Sequence, residues 1–125
     1  MGLGTILVVE DNKLNMKLVR DVLEFAGYVV MEAATGEEGV ELALGTSPDL
    51  ILMDLQLPGI DGTEALRRIQ QGAGAALVPV VAVTASAMPS DRDAAQRAGF
   101  DGFLEKPINA RALPAQVAAF LAAAT

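Results

Sequence analysis

The sequence contains no cysteine and no histidine, and aromatic residues make up only 4% of its 125 positions. Without cysteine, the chain has no disulfides, no thiol chemistry and no zinc–thiolate site. Without histidine, it has no Ser-His catalytic pair, no imidazole metal site and no phosphohistidine donor of its own. Because aromatic side chains are scarce, Val, Leu, Ile and Ala must fill the core.

Positive charge is also scarce, since 9 Lys and Arg residues stand against 16 Asp and Glu residues, for a net charge of −7. Nucleic acids are bound by basic surfaces, so we expect no nucleic-acid partner, whereas divalent cations are compatible with this charge. Hydrophobic residues make up 52% of the chain, which is enough for a compact core. The length suits one domain over residues 1–125.

No segment has the pattern of an export signal or a membrane span. No basic residue precedes the first apolar run, and Glu10 and Asp11 interrupt it. The longest uncharged stretch, residues 69–90, contains glutamine, glycine and proline and is not a continuous apolar helix. We therefore expect a soluble, cytoplasmic protein with no membrane partner.

Short apolar runs alternate five times with longer amphipathic stretches, which predicts an α/β fold. Uninterrupted apolar runs are typical of parallel strands buried on both faces. Five strand–helix units of this size favour a flavodoxin-like, doubly wound parallel sheet with strand order 2-1-3-4-5 and five helices. The predicted strands are residues 5–9, 29–31, 50–53, 80–83 and 103–104.

The first helix is predicted from the four-residue spacing of Leu14, Leu18 and Val22, which we expect to form its core-facing stripe. Val19, Leu23 and Ala26 are expected to lie beside this stripe. Gly27 is expected to end this helix.

Arg92 and Arg97, farther along the chain, are expected to lie on a solvated helix face. The other helices are predicted after Thr35, over residues 63–71, from a cap at Ser90 to about Gly99, and over residues 110–124.

Polar residues follow four of the predicted strands. Glu10 and Asp11 follow the first strand, Asp54 the third, Thr84 the fourth and Lys106 the fifth. Ligands of such sheets bind at the carboxyl ends of the strands, where the strand order reverses between strands 1 and 3. We therefore expect these five side chains to share one crevice.

Three carboxylates at close range repel one another unless positive charge neutralises them. Mg²⁺ takes oxygen ligands, and a lysine supplies a compact charge. A carboxylate held between a divalent ion and an ammonium group is suited to attack a phosphoryl group, and a nearby hydroxyl can bind one of its oxygens. These residues therefore favour phosphoryl-group chemistry.

Four segments of the chain resemble the receiver domain of bacterial two-component response regulators, and the resemblance covers essentially the whole sequence. It is greatest for stand-alone receivers of the DivK type, although receivers of hybrid histidine kinases are also similar. The resemblance implies a signalling domain that catalyses only its own phosphorylation and dephosphorylation. The segments that carry it are residues 6–12, 50–58, 80–85 and 103–107.

The resemblance also implies a mechanism and partners. Asp54 would accept a phosphoryl group from the phosphohistidine of a histidine kinase or histidine phosphotransfer protein, and a downstream protein would respond. Asp11, Asp54 and the backbone carbonyl of Gln56 would bind Mg²⁺, with Glu10 acting through water. Lys106 would contact Asp54 or the phosphoryl group.

The resemblance further implies a switch in which Thr84 moves toward the phosphoryl group and the ring of Phe103 rotates. Read by itself, a large apolar side chain in a short strand favours a static core position for Phe103. Beside the other motif residues, the static core and the switch are equally compatible with Phe103. The bond between Lys106 and Pro107 would be a cis peptide, which is permitted before proline.

Two other functions use similar residues. A haloacid-dehalogenase-like phosphohydrolase needs a second acid two residues after its nucleophile, where this chain has Gln56, which cannot titrate. A pseudo-receiver would be an interaction module that is never phosphorylated. The sequence names no cognate kinase, target, phosphorylation lifetime or oligomeric state. It leaves open whether the domain stands alone or belongs to a longer protein.

Overall fold

Five parallel strands and five helices are found in the computed structural model, which describes residues 3–72, 78–85 and 88–123. The apolar runs form the strands, and the amphipathic stretches between them form the helices. The elements are β1 (Thr5–Val9), α1 (Lys13–Phe25), β2 (Val29–Ala33), α2 (Gly36–Thr46), β3 (Leu50–Asp54), α3 (Gly62–Gln71), β4 (Val80–Thr84), α4 (Pro89–Ala98), β5 (Gly102–Glu105) and α5 (Leu113–Ala123).

The strands form one sheet in the order β2-β1-β3-β4-β5, so the predicted fold class and strand order are confirmed. β1 pairs in parallel with both β2 and β3, which places the reversal of strand order between β1 and β3. All five residues of β3 and of β4 are buried. Both faces of these strands are covered by helices, which explains why their sequences are almost continuously apolar.

The core has two layers, one on each face of the sheet, because side chains alternate along each strand. One layer lies between the sheet and α2, α3 and α4 and includes Met53, Leu66 and Ile69. The other lies between the sheet and α1 and α5 and includes Leu23 and Val117. Both layers hold the strands in register and so position the residues at the strand ends.

Gly62 allows the loop after β3 to fold tightly beneath the sheet edge. A Cβ atom at this position would lie 2.5 Å from the carbonyl oxygen of Asp54 and 2.9 Å from the Cα of Leu55. Any larger residue would therefore push the start of α3 away from Asp54.

The core stripe predicted for α1 was wrong at Leu14 and Leu18, although Val22 packs against the core. Leu14 and Leu18 are 79% and 37% exposed. Both this stripe and the observed one have helical spacing, so periodicity alone could not choose between them. Asn12 caps the helix by accepting hydrogen bonds from two backbone N–H groups, and the helix then turns a different face to the sheet. The buried residues of α1 are Met16, Val19 and Leu23.

Two predicted helix starts were also wrong. α4 begins at Pro89, and the backbone N–H of Met88 donates to the carboxylate of Asp91 at 3.2 Å, so Ser90 lies inside the helix. α5 begins at Leu113 because residues 109–112 form a turn around the side chain of Asn109. The predicted end of that helix, residue 124, lies outside the described residues.

None of the helices within residues 3–72, 78–85 and 88–123 is long and apolar enough to cross a membrane.

Candidate functional site

The candidate site lies at the carboxyl edge of the sheet, where four segments meet. Glu10 directly follows β1, Asp54 ends β3, Thr84 ends β4 and Lys106 directly follows β5. Backbone hydrogen bonds extend the sheet up to this edge, and the N–H of Lys106 donates to the carbonyl of Thr84 at 2.8 Å. Parallel pairing thus brings together residues that are up to 96 positions apart in the sequence.

Three carboxylates form an acidic cluster at this edge. One oxygen each from Glu10, Asp11 and Asp54 lies within 4.8 Å of the others. Glu10 and Asp54 are buried, at 7% and 3% exposure, whereas Asp11 is exposed. Closely spaced carboxylate oxygens, one of them open to solvent, suit a hard cation such as Mg²⁺ that keeps several waters.

Lys106 bridges two of these carboxylates. Its Nζ lies 2.7 Å from Oδ2 of Asp54 and 3.0 Å from Oε1 of Glu10. Burial lowers the pKa of Lys106, but the hydrogen bonds to Asp54 and Glu10 outweigh burial and raise the pKa above its ordinary value. Lys106 is therefore an ammonium group at neutral pH, held against the acidic cluster.

Burial raises the pKa of Glu10 above its ordinary value. The backbone N–H of Asn12, which donates to Oε2 at 3.0 Å, and the ammonium of Lys106 both oppose this rise, while the nearby Asp54 adds to it. Burial outweighs these lowering effects, so the site disfavours the ionised form of Glu10 relative to water, and the positive charge of Lys106 only reduces that effect.

Asp54 is held from two sides. Its Oδ1 accepts a hydrogen bond from the backbone N–H of Gln56 at 2.9 Å, and its Oδ2 accepts one from Lys106. These contacts fix the orientation of the carboxylate toward the open edge of the sheet. A carboxylate restrained in this way can serve as a nucleophile or as a metal ligand.

Thr84 and Phe103 face the same side of the sheet. Phe103 pairs with Ala82 and Glu105 pairs with Thr84 in the β4–β5 register, so Thr84 lies one side-chain position farther along the same face. Thr84 is buried and lines a cavity of about 450 Å³ between α3 and α4, together with Gln56. The peptide bond that follows Lys106 is cis.

Two side chains near the site make contacts that the sequence did not predict. Asn12 caps α1 and donates its own N–H to Glu10, and an asparagine directly before a helical pattern is a recognisable capping signal. Arg92 is exposed, as expected for a solvated face, but its guanidinium also lies over the ring of Phe103. No local sequence pattern indicates that contact, because it joins a helix to a neighbouring strand.

The family described as the response regulator receiver domain matches residues 6–118. Among curated relatives, the chain is similar to the polar-differentiation response regulator DivK of Brucella abortus (strain 2308). The identity is 41% over 105 residues, which cover 84% of this chain and 85% of that protein. DivK of Brucella anthropi is similar to the same extent.

Solved structures give the same result. The receiver domain of the sensor histidine kinase PA1611 from Pseudomonas aeruginosa PAO1 is 34% identical, with a TM-score of 0.89 over 98% of this chain and 99% of that chain. That structure has a magnesium ion coordinated in its active-site cleft. The chemotaxis response regulator CheY4 of Vibrio cholerae is 26% identical, with a TM-score of 0.88 over 93% of this chain and 97% of that chain. With its fold, its acidic cluster and these relatives, the chain belongs to the family of response regulator receiver domains of two-component signalling.

Proposed function

We propose that this receiver accepts a phosphoryl group on Asp54 from a phosphohistidine donor and passes the signal on through changed protein contacts. The observation that carries the proposal is the contact of Lys106 with both Asp54 and Glu10 inside a cluster of three carboxylates. A buried carboxylate fixed beside an ammonium group at an open sheet edge is suited to attack phosphorus.

In the proposed reaction, an oxygen of Asp54 forms a bond to phosphorus while the bond between phosphorus and the donor's imidazole nitrogen breaks. The imidazole leaves with the electron pair of that bond, and Asp54 becomes an acyl phosphate. Lys106 stabilises negative charge on the transferred oxygens, and Thr84 donates to one of them. A bound Mg²⁺ would supply further positive charge against those oxygens.

We propose that Asp11, Asp54 and the backbone carbonyl of Gln56 hold Mg²⁺ directly, with Glu10 acting through water. The donor set fits this ion, because all the proposed ligands are oxygens and Asp11 is exposed to solvent. The magnesium ion in the PA1611 receiver domain, which has the same fold, supports the proposal.

Replacement of Asp11 by alanine is expected to remove most of the magnesium affinity. Wild-type protein is expected to bind Mg²⁺ with a dissociation constant on the order of 1 mM, because the protein supplies few ligands. Isothermal titration calorimetry measures both affinities. The Asp21→Ala variant is a suitable control, since Asp21 is an exposed acid paired with Lys17 on α1. Equal affinities for Asp11→Ala and wild type would exclude Asp11 as a ligand.

The phosphohistidine donor needs a docking surface beside Asp54, and we propose that Leu14 and Leu18 provide part of it. Both side chains are exposed on α1, which begins two residues after Asp11. Exposed apolar side chains next to a reactive group are typical of protein contact sites. A histidine kinase or histidine phosphotransfer protein, not a small molecule, would require such a surface.

The Leu14→Glu variant is expected to receive phosphate from a purified histidine phosphotransfer protein at least about tenfold more slowly, as loss of an apolar contact predicts. Its reaction with acetyl phosphate is expected to be unchanged, because that donor needs no docking surface. Phe25→Glu is a matched control, since Phe25 is 96% exposed on the same helix, about 16 Å farther along it. An equal loss with both donors would contradict the docking role.

The two alternative functions are separated by one pair of assays. Wild-type protein with Mg²⁺ and acetyl phosphate is expected to gain the mass of one phosphoryl group, whereas a pseudo-receiver would gain none. With p-nitrophenyl phosphate, we expect no sustained turnover, because Gln56 stands where a phosphohydrolase needs an acid. Multiple turnovers of that substrate would favour the phosphohydrolase.

A further inference from the structure

Arg92 makes a contact with Phe103 that links α4 to β5. The guanidinium carbon of Arg92 lies 5.1 Å from the centre of the Phe103 ring, within the range of a cation–π interaction. None of the ion pairs among the described residues involves Arg92. Among the residues that the structure describes, the guanidinium charge therefore faces the ring and forms no ion pair with a carboxylate.

The surroundings of Phe103 leave room for its ring to change position. The ring is partly buried against the core layer that lies between the sheet and α2, α3 and α4. It lies beside the small side chain of Ala82, its partner residue on β4. A cavity of about 220 Å³ adjoins Phe103 and Arg92, and a second of about 450 Å³ adjoins Thr84. The two cavities share Ala95 and Phe100 in their walls. The ring thus borders a solvent-accessible pocket, and the strand register places Thr84 farther along the same face of the sheet.

We propose that Arg92 is a positioning residue that holds the Phe103 ring in its present place and so opposes the phosphorylated conformation. This inference rests on the proposed function and on the switch that the family resemblance implies, in which Thr84 moves toward the phosphoryl group and the Phe103 ring rotates when Asp54 is phosphorylated. If ring displacement breaks the contact with Arg92, the contact lowers the population of the conformation that favours phosphorylation. Arg92 then sets how easily the receiver is switched on.

A double-mutant cycle with acetyl phosphate tests the proposal. The variants are Arg92→Gln, Phe103→Leu and the two together, and intact mass gives the rate at which Asp54 is phosphorylated with Mg²⁺. Arg92→Gln is expected to raise the rate about two- to fivefold, the range that an exposed cation–π contact predicts. In the Phe103→Leu background, the same substitution is expected to change nothing, since no aromatic ring remains for it to contact.

Two further variants separate the ring contact from charge and from folding. Arg92→Lys keeps a cation near the ring and is expected to give a rate between those of wild type and Arg92→Gln. Arg97→Gln removes a positive charge from the same helix and is expected to leave the rate unchanged. A purely structural role would lower the melting temperature of Arg92→Gln without changing its rate, and that result would overturn the proposal.

The cycle also separates failure of this inference from failure of the proposed function. Wild-type protein that never gains a phosphoryl group would contradict the function itself. The second outcome is that wild-type protein is phosphorylated, but Arg92→Gln changes the phosphorylation rate by the same factor with Phe103 and with Phe103→Leu. That outcome would reject only the positioning role of Arg92.

Discussion

Replacement of Asp54 by asparagine is expected to abolish phosphorylation of the protein by acetyl phosphate. An uncharged carboxamide cannot replace the carboxylate as a nucleophile, and no acyl phosphate can form on it. Asn is close to Asp in size, and Asp54 is almost fully buried, so the substitution is expected to leave the fold intact. Intact-mass spectrometry after treatment with acetyl phosphate and Mg²⁺ measures the result.

Asp93→Asn is the matched control for this experiment. Asp93 is an exposed aspartate on α4, and its replacement is expected to leave full labelling. Circular dichroism of both variants shows whether the fold is retained. A labelled and folded Asp54→Asn protein would mean that another residue accepts the phosphoryl group.

Replacement of Lys106 by alanine is expected to slow phosphorylation by about 100- to 1,000-fold, the usual cost of removing one preorganised charge-stabilising group. Lys106 lies 2.7 Å from Asp54 and is a cation in direct contact with the acidic cluster. Its loss also leaves Glu10 and Asp54 without their shared partner. The rate of mass gain at saturating Mg²⁺ measures the effect.

An exposed lysine outside the acidic cluster, Lys17, is the control for Lys106. Lys17 pairs with Asp21 on α1, and its side chain is 63% exposed, so Lys17→Ala is expected to react at the wild-type rate. Lys106→Arg keeps the charge but not the compact ammonium geometry, and it is expected to recover only part of the lost rate. A wild-type rate for Lys106→Ala would show that this ammonium group takes no part in the transfer.

The sequence was informative about the sheet because its strands are short, apolar and separated by clear helical stretches. Parallel strands buried on both faces have a distinctive pattern, and five such units in 125 residues leave few possible topologies. Helix faces were harder to predict. Leu14 and Leu18 have the same spacing as buried helix residues elsewhere, and only the packing of α1 on the sheet exposes them.

The first residues of α4 and α5 are set by local hydrogen bonds, which hydrophobic periodicity does not specify. Ser90 is a good capping residue, but α4 begins one residue before it, and Asp91 binds back to the N–H of Met88. Asn109 organises a turn that delays α5 to Leu113. In each case, competing polar groups lie within a few residues, and their geometry decides between them.

The candidate site was easier to anticipate than the switch. Polar residues after buried strands must meet at one edge when the strands are parallel, so the proximity of Asp54 and Lys106 follows from topology. The contact between Arg92 and Phe103 depends instead on the rotation of α4 over β5. The packing of α4 on the sheet sets its rotation about its own axis. Hydrophobic periodicity predicts that rotation only approximately.

The position of the phosphoryl group on the wild-type protein decides whether Asp54 is the phosphoacceptor. After phosphorylation by acetyl phosphate with Mg²⁺, borohydride reduction converts an aspartyl phosphate to homoserine, and peptide sequencing by mass spectrometry finds its position. We expect homoserine at position 54 and at no other aspartate. Homoserine at Asp11 or elsewhere, or no reduced residue in a protein that has gained phosphate, would contradict it.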